Sequence, residues 1–225
     1  TYPIFVDLAG KTCLIAGYGH ECVEKMLGLV EAGARVIWVS PQGPEEARIL
    51  AETGRVEWRQ RDFLPQDLEG CFLVVATGPD RSANARIFAE AEARNILVNC
   101  LDDPPHCRFA FASTLKRGDL VVAIFTNGKS PALGVRLKQR FEQDLGPEYG
   151  EFLELAGEFR NEITRRIPPF PARRDLWYRL VDSAALEQLK AGSPDRARRT
   201  FRELIDQAAT DFAAAGEPHV HSHHS

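Results

Sequence analysis

The sequence predicts an α/β protein: a parallel, doubly wound sheet, then a small β-plus-helix segment, then an all-helical C-terminal part. Three observations predict this. Short apolar runs alternate with amphipathic helical patterns over the first hundred residues, a glycine-rich stretch follows the first run, and strand-like runs cease after residue 126. Strands that alternate with helices imply right-handed crossovers and a parallel sheet covered on both faces.

The strand runs of the first half are uninterrupted and apolar, as expected for strands buried on both faces. The predicted strands are "TCLIAG", "ARVIWVS", "VEW", "CFLVVAT" and "ILVN", and the predicted helices between them are residues 21–32, 44–53 and 80–94. The first helix has apolar positions at helical spacing, at Val23, Met26, Leu27 and Val30.

The pattern changes after residue 107. "RFAFAS" and "DLVVAIFT" are predicted strands joined by "TLKRG", and a helix follows, with Ser130 as its cap and Pro131 in its first turn. Everything from Pro147 onward is helical in pattern: a first helix with an apolar stripe, a second at residues 175–190, and a third that begins at Ser193-Pro194.

These patterns divide the chain into three predicted parts: a nucleotide-binding domain at residues 1–112, a dimerisation segment at 113–146 and a helical domain at 147–225. The middle segment is too small to fold alone, and "DLVVAIFT" is apolar on both faces, so we expect a homodimer built largely through residues 109–146. The tail "HVHSHHS" either gathers metal or is an appended segment.

Composition excludes several classes of function. The chain has 225 residues, 44% of them hydrophobic and 27% charged, which is typical of a globular protein with one or two domains. A net charge of −4 gives no preference for nucleic acid, and no apolar run reaches the ~20 residues of a membrane span. The start lacks a signal-peptide pattern, and five scattered cysteines favour a reducing compartment. We therefore expect a cytoplasmic protein without nucleic-acid or membrane partners.

The stretch "LIAGYGHECVEK" predicts a dinucleotide site on a Rossmann-type sheet. Gly17 permits the tight turn after the first strand, Gly19 lets the backbone approach a pyrophosphate, and Cys22 is small enough for the third position. His20 and Glu21 open the helix, whose N-terminal N–H groups favour phosphate. A packing turn is the alternative.

The ends of the second and fourth strands complete the predicted cofactor site, through Pro41, Gln42 and Thr77. The stretch "WVSPQ" offers neither a carboxylate for a ribose hydroxyl nor a clear arginine for a 2′-phosphate. We favour NAD over NADP.

The order of these motifs resembles one known family. The glycine loop, "AGARVIWVSP", "VVATGPDRSAN", "VNCLDDPPHCRFAFAS" and "RGDLVVAIFTNGKSPALGVRLKQ" are similar to the siroheme-synthase dehydrogenase family, whose precorrin-2 dehydrogenase module is often also a sirohydrochlorin ferrochelatase. The resemblance covers residues 3–145 and implies a homodimer, NAD as hydride acceptor and sirohydrochlorin as product. It also implies ferrous or cobaltous ion as a substrate rather than a bound cofactor.

The resemblance implies roles for particular residues. Asp102 matches the functional aspartate of the family, and Thr126, Asn127, Lys129 and Ser130 lie in a loop that resembles one lining the tetrapyrrole cleft. As a base, Asp102 could accept a proton during dehydrogenation or metal insertion. Alternatively, it caps the turn before Pro104.

The residues that follow Asp102 give weaker indications of function. Pro104 restricts Asp103 to extended backbone, so we expect Asp102 and Asp103 to point to opposite sides. His106 and Cys107 are adjacent, and adjacent residues seldom ligate one ion, so we predict no metal site.

Ten arginines between residues 160 and 202 suit a substrate with eight carboxylates, although a solvated face paired with local acids is the alternative for each. The rival class of function is a non-enzymatic nucleotide-sensing Rossmann module. Such modules rarely carry an all-helical domain, and the carboxylates of "LDDPPHCRF" would have no role in one.

Overall fold

A computed structural model describes residues 1–78 and 80–216, apart from the side chains at positions 20, 215 and 216. The histidine-rich tail therefore lies outside the described residues. The chain forms two compact units, Thr1–Phe111 and Ala112–Ser225.

The first unit is the predicted parallel sheet with its crossover helices. Its elements are β1 Thr12–Ala16, α1 His20–Glu31, β2 Arg35–Val39, α2 Glu45–Glu52, β3 Val56–Arg59, β4 Leu73–Ala76, α3 Arg81–Glu92 and β5 Leu97–Cys100. The strands are all parallel in the order β3-β2-β1-β4-β5. This is the doubly wound order, with the reversal of direction between β1 and β4, so the predicted fold class is confirmed.

The sheet is covered on both faces, as the apolar runs predict. Leu14 of β1 packs into one core with Val74 of β4, whereas Ile15 packs into the core on the opposite face with Val75. The register then aligns the strand ends, because Ala16 pairs with Ala76 and Ala76 with Cys100. The loops that follow β1, β4 and β5 therefore leave the sheet at one edge.

The second unit begins with a hairpin whose first strand lies further along the chain than predicted. β6 spans Ser113–Arg117 and pairs antiparallel with β7, Leu120–Ile124. The predicted strand at 108–113 and the connection at 114–118 were wrong. Gly118 has φ +54 and closes a two-residue turn with Asp119, which leaves residues 113–117 free to pair.

Up to residue 216, five helices follow in the second unit: α4 Pro131–Asp144, α5 Glu148–Arg166, α6 Phe170–Val181, α7 Ala185–Lys190 and α8 Pro194–Gly216. The predicted helix at 175–190 is in fact divided into α6 and α7. Ser183 causes the break, because its hydroxyl donates to the carbonyl of Leu180 and accepts from the N–H of Ala185.

The helical core is the apolar stripe predicted on α5. Phe152 and Phe159 both pack against Phe201 of α8, and Ile163 is fully buried. In the described part of the chain, no helix combines the length and the apolarity that crossing a membrane requires.

Candidate functional site

The glycine loop is held in close contact with the loop after β4. Gly17 has φ +114, and a Cβ atom there would lie 2.6 Å from the backbone nitrogen of Gly78. Gly19 has φ +121 and faces open space instead. Only glycine adopts these backbone angles readily. The first glycine thus packs the two loops together, and the second leaves room for a ligand at the start of α1.

Two stacked tryptophans of the sheet support the glycine loop. Trp38 of β2 is fully buried, and its Nε1–H donates to the carbonyl oxygen of Gly17 at 2.8 Å. Its ring stacks on Trp58 of β3 with 4.5 Å between the centroids. This role was not predicted from the sequence, in which its signal is a tryptophan within a predicted central strand.

Cys22 occupies the third position of the glycine motif as a packing residue. Its side chain is buried in the core between α1 and the sheet. Burial raises the pKa of its thiol to about 11, even though the backbone near Gly19 and Val23 works in the opposite direction. The thiol is therefore neutral and unreactive at physiological pH.

A cavity of about 450 Å³ opens at this edge of the sheet. Its size lies in the range of small-molecule sites. Its lining comes from the loops after β1, β4 and β5 and from the first turns of α1 and α3, namely Tyr18, Gly19, Glu21, Thr77, Gly78, Arg81, Asn84, Leu101, Asp102 and Asp103. The structure thus brings together four of the predicted residues, Gly19, Glu21, Thr77 and Asp102.

Asp102 and Asp103 line the same cavity, contrary to the prediction that only one could face it. The prediction assumed an extended segment, but Asp102 has φ +56, and this left-handed residue turns the chain. Asp102 is exposed and makes no hydrogen bond or ion pair with the described residues. It is therefore a carboxylate that a ligand can reach.

Asp103 is the buried member of the pair. Only 6% of it is exposed, and its Oδ2 lies 2.8 Å from Nδ1 of His106. The ring of His106 meets the edge of Phe88 at a centroid distance of 5.1 Å. His106 thus has a structural partner at the start of a short 3-10 turn, and within the described residues no group of three His, Cys, Asp or Glu side chains could hold a metal.

The electrostatics of the cavity are mixed. Glu21, Asp102 and Asp103 contribute negative charge, and Arg81 at the start of α3 contributes one positive charge. The N-terminus of α1 adds backbone N–H groups beside Gly19. A dinucleotide fits this arrangement, because its pyrophosphate suits the space over Gly19 and the helix N-terminus. Arg81 was missed, and its signal was its place just after the fourth strand.

Among the other predicted cofactor residues, Gly17, Pro41 and Gln42 are not part of the described cavity lining. Pro41 and Gln42 are exposed just after β2. Ser40 before them is buried and donates its hydroxyl to the carbonyl of Gln42 at 2.5 Å, so it is not available to a ribose. The side chain of His20 lies outside the described residues.

Comparison with known proteins identifies the family. Residues 4–113 match a family described as "Putative NAD(P)-binding", and residues 148–205 match the family described as "Sirohaem synthase dimerisation region". The siroheme synthase of Photorhabdus laumondii is 33% identical over 92% of this chain and 44% of its own length. Siroheme synthase 1 of Pectobacterium atrosepticum is 36% identical over 96% of this chain and 46% of its own.

The chain belongs to the family of siroheme synthase N-terminal modules. It spans less than half the length of these curated relatives. The solved structure of SirC, a precorrin-2 dehydrogenase, is similar in fold, with a TM-score of 0.74, 22% identity, and coverage of 92% of this chain and all of the other.

The second unit of the chain carries the loop predicted to bind substrate. Thr126, Asn127, Lys129 and Ser130 connect β7 to α4. Ser130 caps α4 by accepting from the N–H of Leu133, and its own N–H donates to the hydroxyl of Thr126, both at 3.4 Å. Asn127 has φ +55, and it and Lys129 are exposed.

Five of the ten arginines between residues 160 and 202 differ in their surroundings: two are paired with acidic residues and three line a cavity. Arg166 pairs with Glu162 and Asp206, and Arg198 pairs with Glu158 across α5 and α8. By contrast, Arg160, Arg173 and Arg174 line a cavity of about 420 Å³ between α5 and α6, together with Thr164, Phe170, Trp177 and Tyr178.

Proposed function

We propose that this chain is an NAD-dependent dehydrogenase that oxidises precorrin-2 to sirohydrochlorin. The observation that carries the proposal is the cavity after β1, β4 and β5, in which the glycine loop and an accessible carboxylate meet. The relatives named siroheme synthase support the substrate class, as they share 33% and 36% identity with this chain over more than nine-tenths of it.

The first unit binds and orients the cofactor in this proposal. NAD, when bound, would supply the hydride acceptor. The open space over Gly19 and the N–H groups of α1 would hold its pyrophosphate, and Gly17 would keep the loop against Gly78. The lack of an acidic residue after β2 leaves the choice of NAD over NADP a prediction.

Asp102 is the proposed general base. Loss of a hydride from the macrocycle is accompanied by loss of a proton, and the base must lie within hydrogen-bond reach of it. Asp102 lines the cavity, is exposed, and has no partner among the described residues that would hold its carboxylate elsewhere. It can therefore accept that proton.

The second unit is proposed to hold the carboxylates of the tetrapyrrole. Thr126, Asn127, Lys129 and Ser130 offer hydroxyl, amide and ammonium donors in one loop. Arg160, Arg173 and Arg174 offer guanidinium groups, which match carboxylates in geometry. The loop assignment rests on the resemblance to the family.

Anaerobic turnover of precorrin-2 with NAD tests the proposal. We expect the absorbance of reduced cofactor to rise in step with the spectrum of sirohydrochlorin. Ferrous or cobaltous ion is then added as substrate in a second arm, because chelation stays a prediction of the resemblance. If the protein binds NAD but does not oxidise precorrin-2, the proposed dehydrogenase activity is contradicted and the nucleotide-sensing alternative is favoured.

We also propose that the chain forms a homodimer. The match to the dimerisation family lies at residues 148–205, and exposed apolar side chains lie on α4 of the predicted segment, where Leu133 and Val135 are 52% and 49% exposed. Sedimentation at micromolar concentration should give twice the monomer mass of 25.1 kDa. Leu133→Glu should weaken that dimer, and Ile49→Glu, at a residue 50% exposed on α2, is the matched control.

The cytoplasmic location and the absence of nucleic-acid or membrane partners remain predictions. All five cysteines are free in the structure, and four are buried. This supports a reducing compartment.

A further inference from the structure

Asn84 is a buried amide beside the cofactor cavity. It lies in the first turn of α3, is 3% exposed, and lines the cavity. Its Nδ2 donates to the carbonyl oxygen of Gly78 at 3.3 Å. A carbonyl can only accept, so this contact fixes which end of the amide faces Gly78. The acceptor Oδ1 is consequently the free end.

Oδ1 of Asn84 has no hydrogen-bond partner among the described residues. Buried polar atoms are nearly always paired, and an unpaired one calls for a partner that the protein alone does not provide. The other such atom is Oδ1 of Asn99, but Asn99 does not line the cavity and its Nδ2 is committed to Phe109. Asn84 is therefore the unpaired acceptor that a ligand in the cavity would approach.

The position of Asn84 indicates which part of a dinucleotide would approach it. In doubly wound sheets the adenosine half lies over the end of β2, and the second nucleotide lies across the switch point, over β4 and β5. Asn84 packs against β5, where the Cys100 thiol points at its backbone oxygen, and it lines the same cavity as Asp102. In the nicotinamide base, the N–H donors belong to the carboxamide.

We propose that Oδ1 of Asn84 accepts a hydrogen bond from the carboxamide N–H of the nicotinamide ring. This rests on the proposed function and deepens it, because it names the residue that recognises the reactive base. The bond from Nδ2 to Gly78 holds the amide plane, and Gly78 is itself packed against Gly17. These contacts link the pyrophosphate loop to the orientation of the nicotinamide ring relative to Asp102.

The test uses an analogue that lacks the donor. In 3-acetylpyridine adenine dinucleotide an acetyl group replaces the carboxamide, so the N–H is gone and the rest of the cofactor is kept. We expect the wild-type protein to bind NAD roughly tenfold more tightly than the analogue, and Asn84→Leu, which has a similar shape, to bind both with equal affinity. Asn99→Leu, the matched control, should keep the wild-type preference.

Each outcome decides one point. An equal loss of affinity for both cofactors in Asn84→Leu, or a preference that survives in it, overturns the inference. If Asn84→Leu fails to fold, Asn84→Ala removes the same acceptor with a smaller side chain and must bind both cofactors equally; a preference that survives there also overturns the inference. Failure of the wild-type protein to bind either cofactor would instead contradict the proposed function.

Discussion

Two carboxylate regions of the first unit differ in how their charge is compensated. Asp67, in the 3-10 turn Pro65–Leu68, is buried and surrounded by donors, whereas Asp102 after β5 is exposed and has no partner among the described residues. Both follow the carboxyl end of a strand. A position at that edge is therefore not sufficient for a catalytic role, because the carboxylate must also be accessible to a ligand.

The Asp67 region is a closed ion-pair network. Its carboxylate accepts from Arg59 at 2.8 Å, from both terminal nitrogens of Arg61 at 2.7 Å, and from the N–H of Leu64 at 2.8 Å. Burial alone would raise the pKa of Asp67, but these donors outweigh it and lower the pKa to about 2. All of its hydrogen-bonding capacity is used within the protein, so its role is to fix the loop after β3.

The largest effect should come from adding an uncompensated carboxylate to the cavity. Gly19→Asp places a negative charge where the pyrophosphate would lie, so we expect NAD binding to be abolished. Titration calorimetry with NAD measures this. Gly19→Ala carries the same backbone strain without the charge, and Gly54→Asp carries the charge at a positive-φ glycine far from the cavity lining. Near wild-type affinity in Gly19→Asp would show that the loop has been misinterpreted.

Removal of the accessible carboxylate of Asp102 should have the second-largest effect. Asp102→Ala should lower dehydrogenation by at least the ~10²-fold typical of losing a general base, with NAD affinity little changed. Asp103→Ala should reduce turnover much less, although it should destabilise the protein because His106 loses its partner. The measurements are steady-state turnover of precorrin-2 and thermal unfolding. Full activity in Asp102→Ala combined with loss in Asp103→Ala would reverse the assignment.

Removal of the carboxylate charge from the closed network should affect stability instead. Asp67→Asn leaves two guanidinium groups without their buried charge, so we expect the free energy of unfolding to fall by about 3 kcal/mol. Turnover at a temperature where the variant is folded should stay at the wild-type value. Urea unfolding gives the first quantity. Glu57→Gln is the control, because Glu57 also pairs with Arg59 but its side chain is 49% exposed, and its loss should cost less than about 1 kcal/mol.

The sequence was sufficient to predict the sheet and to place the glycine loop and Asp102 at one edge of it. Apolar runs and helical spacing are local signals, and they locate β1, α1 and the edge after β5 without any knowledge of packing. The closed network was not predicted, because nothing in "RQRDFLPQD" shows that the chain folds back to bring both arginines onto Asp67.

The misplaced or missed features depend on single backbone angles and contacts. The left-handed conformation of Asp102 directs both aspartates into one cavity, and a positive φ at Gly118 moves the hairpin turn. Residue type dictates neither angle, because aspartate adopts φ > 0 only occasionally and glycine adopts either sign of φ. The unpaired amide of Asn84 appears only once its neighbours are known.

The smallest expected effect is a difference in acid sensitivity, and it follows from the pKa of Asp67. Because that pKa is about 2 in the folded protein and near 3.8 ordinarily, the charged network stabilises the fold fully above pH 4. As the pH falls from 4 to 2, the unfolded chain takes up the proton first, and up to about 2 kcal/mol of stability is lost. Asp67→Asn cannot take up this proton, so its stability should fall less steeply over that range. Urea midpoints measured from pH 5 to pH 2 for both proteins give the two slopes. Parallel curves would mean that other carboxylates govern acid unfolding and that the Asp67 network is weaker than its geometry indicates.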